Sequence, residues 1–179
     1  MKRYINEFLG LKCASDLLAW GLFLSNPGKE VTETFATYRA VCNHVPVQLN
    51  DPSVALVSVG DGHTPRTAAT FAVRSKWQCH SIDPALREKD WSGIQRLTIH
   101  RRKVEDAILD LRNASAVVIV AVHSHALLKA ILDNVLGQPR HLVTLPCCVP
   151  QEIPNRVFIG YQDTQIWSPK NTFRIWLNI

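Results

Sequence analysis

The chain has 179 residues, 46% of them hydrophobic, with 20 Lys and Arg against 15 acids and a net charge of +5; this is enough for one sizeable core and one domain spanning 1–179, and the modest basic excess is compatible with an acidic partner such as RNA without requiring one. No apolar run approaches the roughly twenty residues of a bilayer span, and the acids Glu7 and Asp16 interrupt the apolar residues beyond Lys2 and Arg3, so neither a membrane segment nor a signal peptide is expected. The five cysteines, at 13, 42, 79, 147 and 148, do not form a secreted-type framework, which points to the cytoplasm or another reducing compartment.

Residues 1–50 read as a helical lead-in. Ile5, Phe8, Leu9, Leu17, Leu18, Trp20, Leu22 and Phe23 recur at helical spacing between Tyr4 and Leu24, with Gly10 and Gly21 blurring the boundaries. Asn26-Pro27-Gly28 reads as a turn, and a second helix is predicted from Val31 to Cys42. The lead-in either packs plainly on the sheet or shapes the entrance to a ligand.

Residues 51–179 change character. Val54, Ala55, Leu56, Val57 and Val59 make a run too short for a helix and rich in β-branched residues, the pattern of a buried parallel strand. It stops at Gly60-Asp61-Gly62. Beyond His63, the Thr64 hydroxyl is a candidate helix cap, Pro65 suits a first turn, and Ala68, Ala69, Phe71 and Ala72 form an apolar face. Strand, glycine turn and helix make the first half of a nucleotide-binding βαβ unit. Roughly twenty residues past the glycines, where such folds set an acid against a ribose, Asp83 ends a second predicted strand. A third glycine for a pyrophosphate is missing, since His63, Thr64 and Pro65 come directly after Gly62. The pattern therefore favours a nucleoside ligand without phosphates, and S-adenosylmethionine fits that description.

Arg96 to His100 reads as a third strand, followed by the basic triplet Arg101-Arg102-Lys103, which is either a solvated turn or a phosphate contact. Val104 to Leu111 has helical spacing opened by Glu105 and Asp106, and one of these acids is a candidate to receive an adenine amino group. Ala116 to Val122 is apolar without alternation, as a central parallel strand covered on both faces should be. His123-Ser124-His125 leaves its carboxyl end, the edge where open parallel sheets bind ligands. A helix from Ala126 to Leu136 closes at Gly137, His141 to Leu145 is a fifth strand, and Pro146-Cys147-Cys148-Val149-Pro150 leaves it. Arg156 to Trp167 and Thr172 to Ile179 read as an antiparallel hairpin, whose terminal edge could also pair subunits of a homo-oligomer or larger complex.

This order of elements resembles the class I S-adenosylmethionine-dependent methyltransferase superfamily from Ser53 to the C-terminus. AVHSHALLKAIL with HLVTLPCCVP is similar, more narrowly, to the branch with a leucine-histidine-x-cysteine-glycine pattern after the fourth strand and proline-cysteine-cysteine after the fifth, a branch that includes tRNA ribose methylases. His123 and Pro146-Cys147-Cys148 match it, whereas Ser124-His125-Ala126 replace the cysteine-glycine portion. The resemblance implies an α/β, Rossmann-like, mostly parallel sheet with helices on both faces and a C-terminal antiparallel hairpin. It implies S-adenosylmethionine as cofactor, with Gly60, Asp61 and Gly62 near the methionine and ribose, Asp83 on the ribose hydroxyls, and Glu105 or Asp106 near adenine; His63 either touches the cofactor, caps the following helix or faces solvent.

In methyl transfer a base is needed only when the acceptor must lose a proton, and His123 and His125 are the candidates for that role. RNA is the favoured acceptor, from the charge balance and the branch. Two other functions stay open: a binding or assembly module that has lost catalysis, and a metal-dependent hydrolase using His123 and His125, with Cys147 approaching from the neighbouring strand. No metal ligand set is assigned, because the spacing matches no recognised zinc pattern. Cys147 and Cys148 read more simply as small buried residues than as nucleophiles.

Overall fold

The structure is a computed structural model and describes residues 3–148 and 151–179. Lys2 of the expected N-terminal basic pair and Val149 and Pro150 of the expected exit from the fifth strand lie outside it. The strands β1 (Val54–Val59), β2 (Gln78–Ile82), β3 (Leu97–His100), β5 (Ala116–Val122) and β7 (Arg140–Leu145) are parallel, while β9 (Thr172–Trp176) runs antiparallel to both β7 and β8 (Ile159–Gln162). These seven form one sheet in the order β3-β2-β1-β5-β7-β9-β8. The α/β, mostly parallel class with its closing hairpin is therefore present.

The registers explain how the sheet presents one working edge. Val59 is opposite Ile82, Ile82 opposite His100, and Val122 opposite Leu145. The carboxyl ends of five parallel strands thus share one rim, and the loops that leave them converge there. β1 and β5 are buried along their whole length because alternate residues enter two different cores. Leu56, Val118, Val120 and Val143 join Phe35, Phe71 and Trp77 on one face, whereas Val57, Ile119, Ala121 and Leu142 meet Ile131 and Trp176 on the other.

The helices arise from local sequence with several changes of boundary. The first helical stretch is two pieces, α1 (Arg3–Leu9) and α2 (Ala14–Ala19), broken next to Gly10 and closed by Gly21 at φ +64°. The Asn26-Pro27-Gly28 turn is in fact the start of α3 (Pro27–His44), with Asn26 accepting from the Lys29 amide at 3.3 Å and Pro27 in the first turn, where a missing N–H costs nothing. α4 (Arg66–Arg74) comes after the glycine turn. Thr64 does not cap it; its hydroxyl donates to the Leu22 carbonyl at 2.7 Å.

Two expected helices are shorter or absent. Val104 to Leu111 forms only a 3₁₀ turn, Val104–Asp106, and then β4 (Leu109–Asp110), which pairs in parallel with β6 (Val135–Leu136). Helical spacing would bury Ile108 with Val104, but Ile108 is exposed and Leu109 is buried in its place. The Leu111 amide donates to the Leu136 carbonyl at 2.9 Å, so tertiary pairing supplies the hydrogen bonds that a helix would have made internally. For the same reason α5 (Leu128–Asn134) stops where β6 begins. The hairpin strands are shorter than expected, and the connection from 163 to 171 folds back on α3, where the Trp167 amide donates to the Thr32 hydroxyl at 3.0 Å. Among the described residues no helix is long and apolar enough to cross a membrane.

Candidate functional site

At the end of β1 the chain turns through Gly60 at φ +84° and Gly62 at φ +75°, a left-handed backbone that favours glycine. At Gly60 a side chain is also excluded by space, since a Cβ would lie 2.7 Å from Ser124 Cβ and 2.9 Å from its Cα. The turn after β1 therefore lies directly against Ser124 in the turn after β5. The Gly62 amide then donates to Asp83 Oδ2 at 2.9 Å, and the Ala85 amide to Asp83 Oδ1 at 2.7 Å. A carboxylate offers about four acceptor positions, so both oxygens keep capacity for further donors after these bonds have fixed their direction.

Gly60, Gly62, Asp83 and Glu105 line one cleft of about 470 Å³ together with His123 and His125. Its volume lies within the range of about 300–1,000 Å³ common for small-ligand sites. Val59, Ile82 and Val104 give it apolar walls, and Lys103 stands at its edge. The combination of apolar wall, fixed carboxylate and glycine backbone suits a planar base joined to a hydroxyl-bearing ring.

Two residues expected at the cofactor are placed elsewhere, and of the pair Glu105 or Asp106 only the first lines the cleft. Asp61 is 2% exposed and accepts from the Thr67 amide at 3.2 Å, the Ala68 amide at 3.3 Å and the Ser81 hydroxyl at 2.8 Å. It does the capping that Thr64 was expected to do, facing the donors of α4 and not the cleft. His63 lines a separate cavity of about 220 Å³ with Arg66 and Arg87. Asp106 is not among the cleft residues, whereas its neighbour Glu105 is. The basic triplet divides as well: Arg101 donates to the carbonyls of Arg87 and Lys89, stapling a loop, and Lys103 reaches the cleft.

The two histidines diverge. His123 has φ +53°, which breaks the extended geometry that would have aimed both rings the same way. Its Nε2 is 2.6 Å from Oε1 of Glu33, a carboxylate only 1% exposed on α3, while Nδ1 is buried without a hydrogen-bond partner among the described residues. His125 turns the other way, with Nε2 at 3.2 Å from Cys147 Sγ and 3.7 Å from Cys148 Sγ. Of the expected trio of His123, His125 and Cys147, the last two meet while His123 is held by Glu33. Burial pushes the Cys147 thiol up, which disfavours it as a free nucleophile.

Lys103 and Ser124 also line the cleft and Glu33 holds His123 beside it, and sequence reasoning assigned none of them to the cofactor. Glu33 lies far from His123 along the chain, amid threonines and apolar residues of α3, and no local pattern marks it as the imidazole's partner. Beyond His123 a second cavity of about 450 Å³ is lined by Lys29, Arg66 and Lys170 together with the acids Glu30 and Glu33.

No family model matches the sequence, and no curated protein matches it. Among solved structures the chain is similar to a mutant of MtNAS in complex with S-adenosylmethionine, at 13% identity and a TM-score of 0.51, over 99% of this chain and 75% of that one. Another structure of the same mutant gives 13% identity and a TM-score of 0.51 over 99% and 73%. An rRNA methylase from Streptococcus thermophilus aligns at 17% identity and a TM-score of 0.43, over 87% of this chain and 98% of that one. The likeness to the first two is one of fold.

Proposed function

We propose, from the premise that this chain has the class I S-adenosylmethionine-dependent methyltransferase fold, that it transfers the methyl group of S-adenosylmethionine, and that the acceptor is RNA. The observation that carries the reading is the bond of 2.9 Å between the Gly62 amide and Asp83, made beside the 470 Å³ cleft on the carboxyl rim of the sheet. In this reading Asp83 accepts from the ribose hydroxyls, the backbone at Gly60 and Gly62 lies along the ribose and methionine, and Glu105 receives the adenine amino group. The apolar walls exclude water from the base.

The step itself is an in-line displacement. An acceptor lone pair forms the new bond to the methyl carbon as the carbon–sulfur bond breaks, leaving S-adenosylhomocysteine, and any proton on the acceptor departs to solvent or a base. Most of the rate gain then comes from holding donor and acceptor in line. The RNA reading draws on the three cations Lys29, Arg66 and Lys170 at the second cavity, which outnumber its two acids, Glu30 and Glu33, and would meet a phosphate backbone.

One observation favours the alternative of a module that binds the donor without using it: Nε2 of His123 is held by Glu33 and Nε2 of His125 faces the two cysteines, so neither of these nitrogens is presented to an acceptor in the cleft. The same incubation tests both readings. Protein supplied with methyl-labelled S-adenosylmethionine and total cellular RNA, protein and metabolites should label RNA. Asp83→Ala should abolish the label and weaken donor binding in calorimetry by about 2–4 kcal/mol, the worth of one or two charge-assisted hydrogen bonds. Donor binding without label in any fraction would establish the module, and absence of donor binding would remove both readings.

A further inference from the structure

The geometry points to a site for a thiophilic metal ion, zinc being the fitting case, held by His125 Nε2, Cys147 Sγ and Cys148 Sγ. We infer it independently of the methyl-donor reading, since none of the three residues is assigned there to the donor. The three ligand atoms lie within 4.8 Å of one another. The nitrogen is 3.2 Å from one sulfur and 3.7 Å from the other, and the sulfurs are 3.4 Å apart. A tetrahedral zinc with bonds of about 2.3 Å to sulfur and 2.0–2.1 Å to nitrogen separates its ligand atoms by about 3.5–3.8 Å. The triangle already present is thus within a few tenths of an ångström of the one a zinc ion would impose.

Position supports the assignment as strongly as distance. His125 leaves the carboxyl end of β5 and the cysteines leave the carboxyl end of the neighbouring β7, so adjacent strands deliver both halves of the site to one rim. The ligand chemistry is soft and of mixed nitrogen and sulfur type, which selects zinc over magnesium or calcium. All three residues line a cavity of about 210 Å³ with Ser124, Thr144 and Gln151. Three protein ligands leave a fourth tetrahedral position, and it opens on that cavity, the arrangement of zinc sites that keep an exchangeable water. On binding, the Cys147 thiol gives up its 3.7 Å contact with the His123 carbonyl and both thiols lose their protons. The ion would pin together the two loops that flank the mouth of the cleft.

The test uses the reduced full chain, stripped of metal by chelator and titrated with cobalt(II) and then with zinc(II). One cobalt per chain should bind with the visible absorption of a tetrahedral ion and an ultraviolet thiolate charge-transfer band, and zinc should displace it. His125→Ala, Cys147→Ser and Cys148→Ser should each weaken zinc binding at least tenfold, while Cys13→Ser leaves it unchanged. X-ray absorption of the zinc-loaded protein should report two sulfurs and two nitrogen or oxygen neighbours, the histidine nitrogen and the water. Because the ligands are at the surface, circular dichroism should show the variants folded; if a variant fails to fold, the absorption spectrum of the unsubstituted chain still decides. Tetrahedral bands that persist in the Cys147→Ser, Cys148→Ser double variant, a zinc shell without sulfur, or no stoichiometric binding would each overturn the site. Calorimetry with S-adenosylmethionine on the metal-free chain reads the donor site separately.

Discussion

Asp61 and Asp83 both sit at the rim, and the backbone donors around them set their different work. Asp61 is surrounded by amides of the first turn of α4 and by Ser81, and its charge completes that helix's unsatisfied N-terminus. Asp83 receives one amide on each oxygen and keeps the rest of its capacity for the cleft. Asp61→Ala should therefore lower folding stability by about 2 kcal/mol, the upper range for a lost cap, because buried donors are left unpaired as well. Equilibrium urea unfolding measures this. Donor affinity should fall less in Asp61→Ala than in Asp83→Ala, and the reverse order would assign the ribose contact to the wrong acid.

At the scale of elements, α1 is held by charge as much as by its apolar side. Arg39 Nε of α3 donates to both oxygens of Glu7 at 3.0 and 3.1 Å, and Arg74 Nη1 of α4 donates to it at 2.9 Å. Arg74 also lies over the ring of Tyr38, 3.8 Å from its centre. The Glu7–Arg74 pair is mostly shielded from water, so it exceeds the value of an ordinary surface bridge. Glu7→Ala should cost about 2 kcal/mol by leaving two guanidinium groups without their acceptor. Hydrogen exchange should then accelerate in α1 while β1 and β5 stay protected; uniform acceleration across the sheet would show that α1 is not a separable unit.

For the whole molecule, the buried histidines make the fold sensitive to acid. Burial, aided by His100 nearby, pushes His80 down to about 4 from its ordinary 6.5, and burial also depresses His100 and His141. His80 Nδ1 and His100 Nε2 are 3.2 Å apart, a bond that requires a neutral ring on at least one side. A folded value below the unfolded one means that the native state binds fewer protons. The stabilisation is complete above pH 6.5 and is lost as the pH falls toward 4. The His80 contribution should be about 2 kcal/mol once the open edge of the ring is allowed for. His80→Gln should flatten the fall in urea midpoint between those pH values, and an unchanged acid limb would assign it to other groups.

Taken by itself, the sequence determined the elements whose burial is settled locally. Val54–Val59 and Ala116–Val122 are apolar on both faces, the pattern of strands covered from two sides, and the glycine turn and Asp83 carry their spacing openly. Tertiary structure decided the rest, because it depends on partners distant in the chain. Val104 to Leu111 has helical spacing, yet β6 offered its backbone another set of hydrogen bonds. Which acid caps and which faces the cleft depended on the direction of α4. His123 and His125 look equivalent on paper; a left-handed turn sends one ring to a buried carboxylate on α3 and the other to two thiols beyond β7. Periodicity records which residues avoid water, whereas a site records which side chains meet, and only the folded path of the chain decides the second.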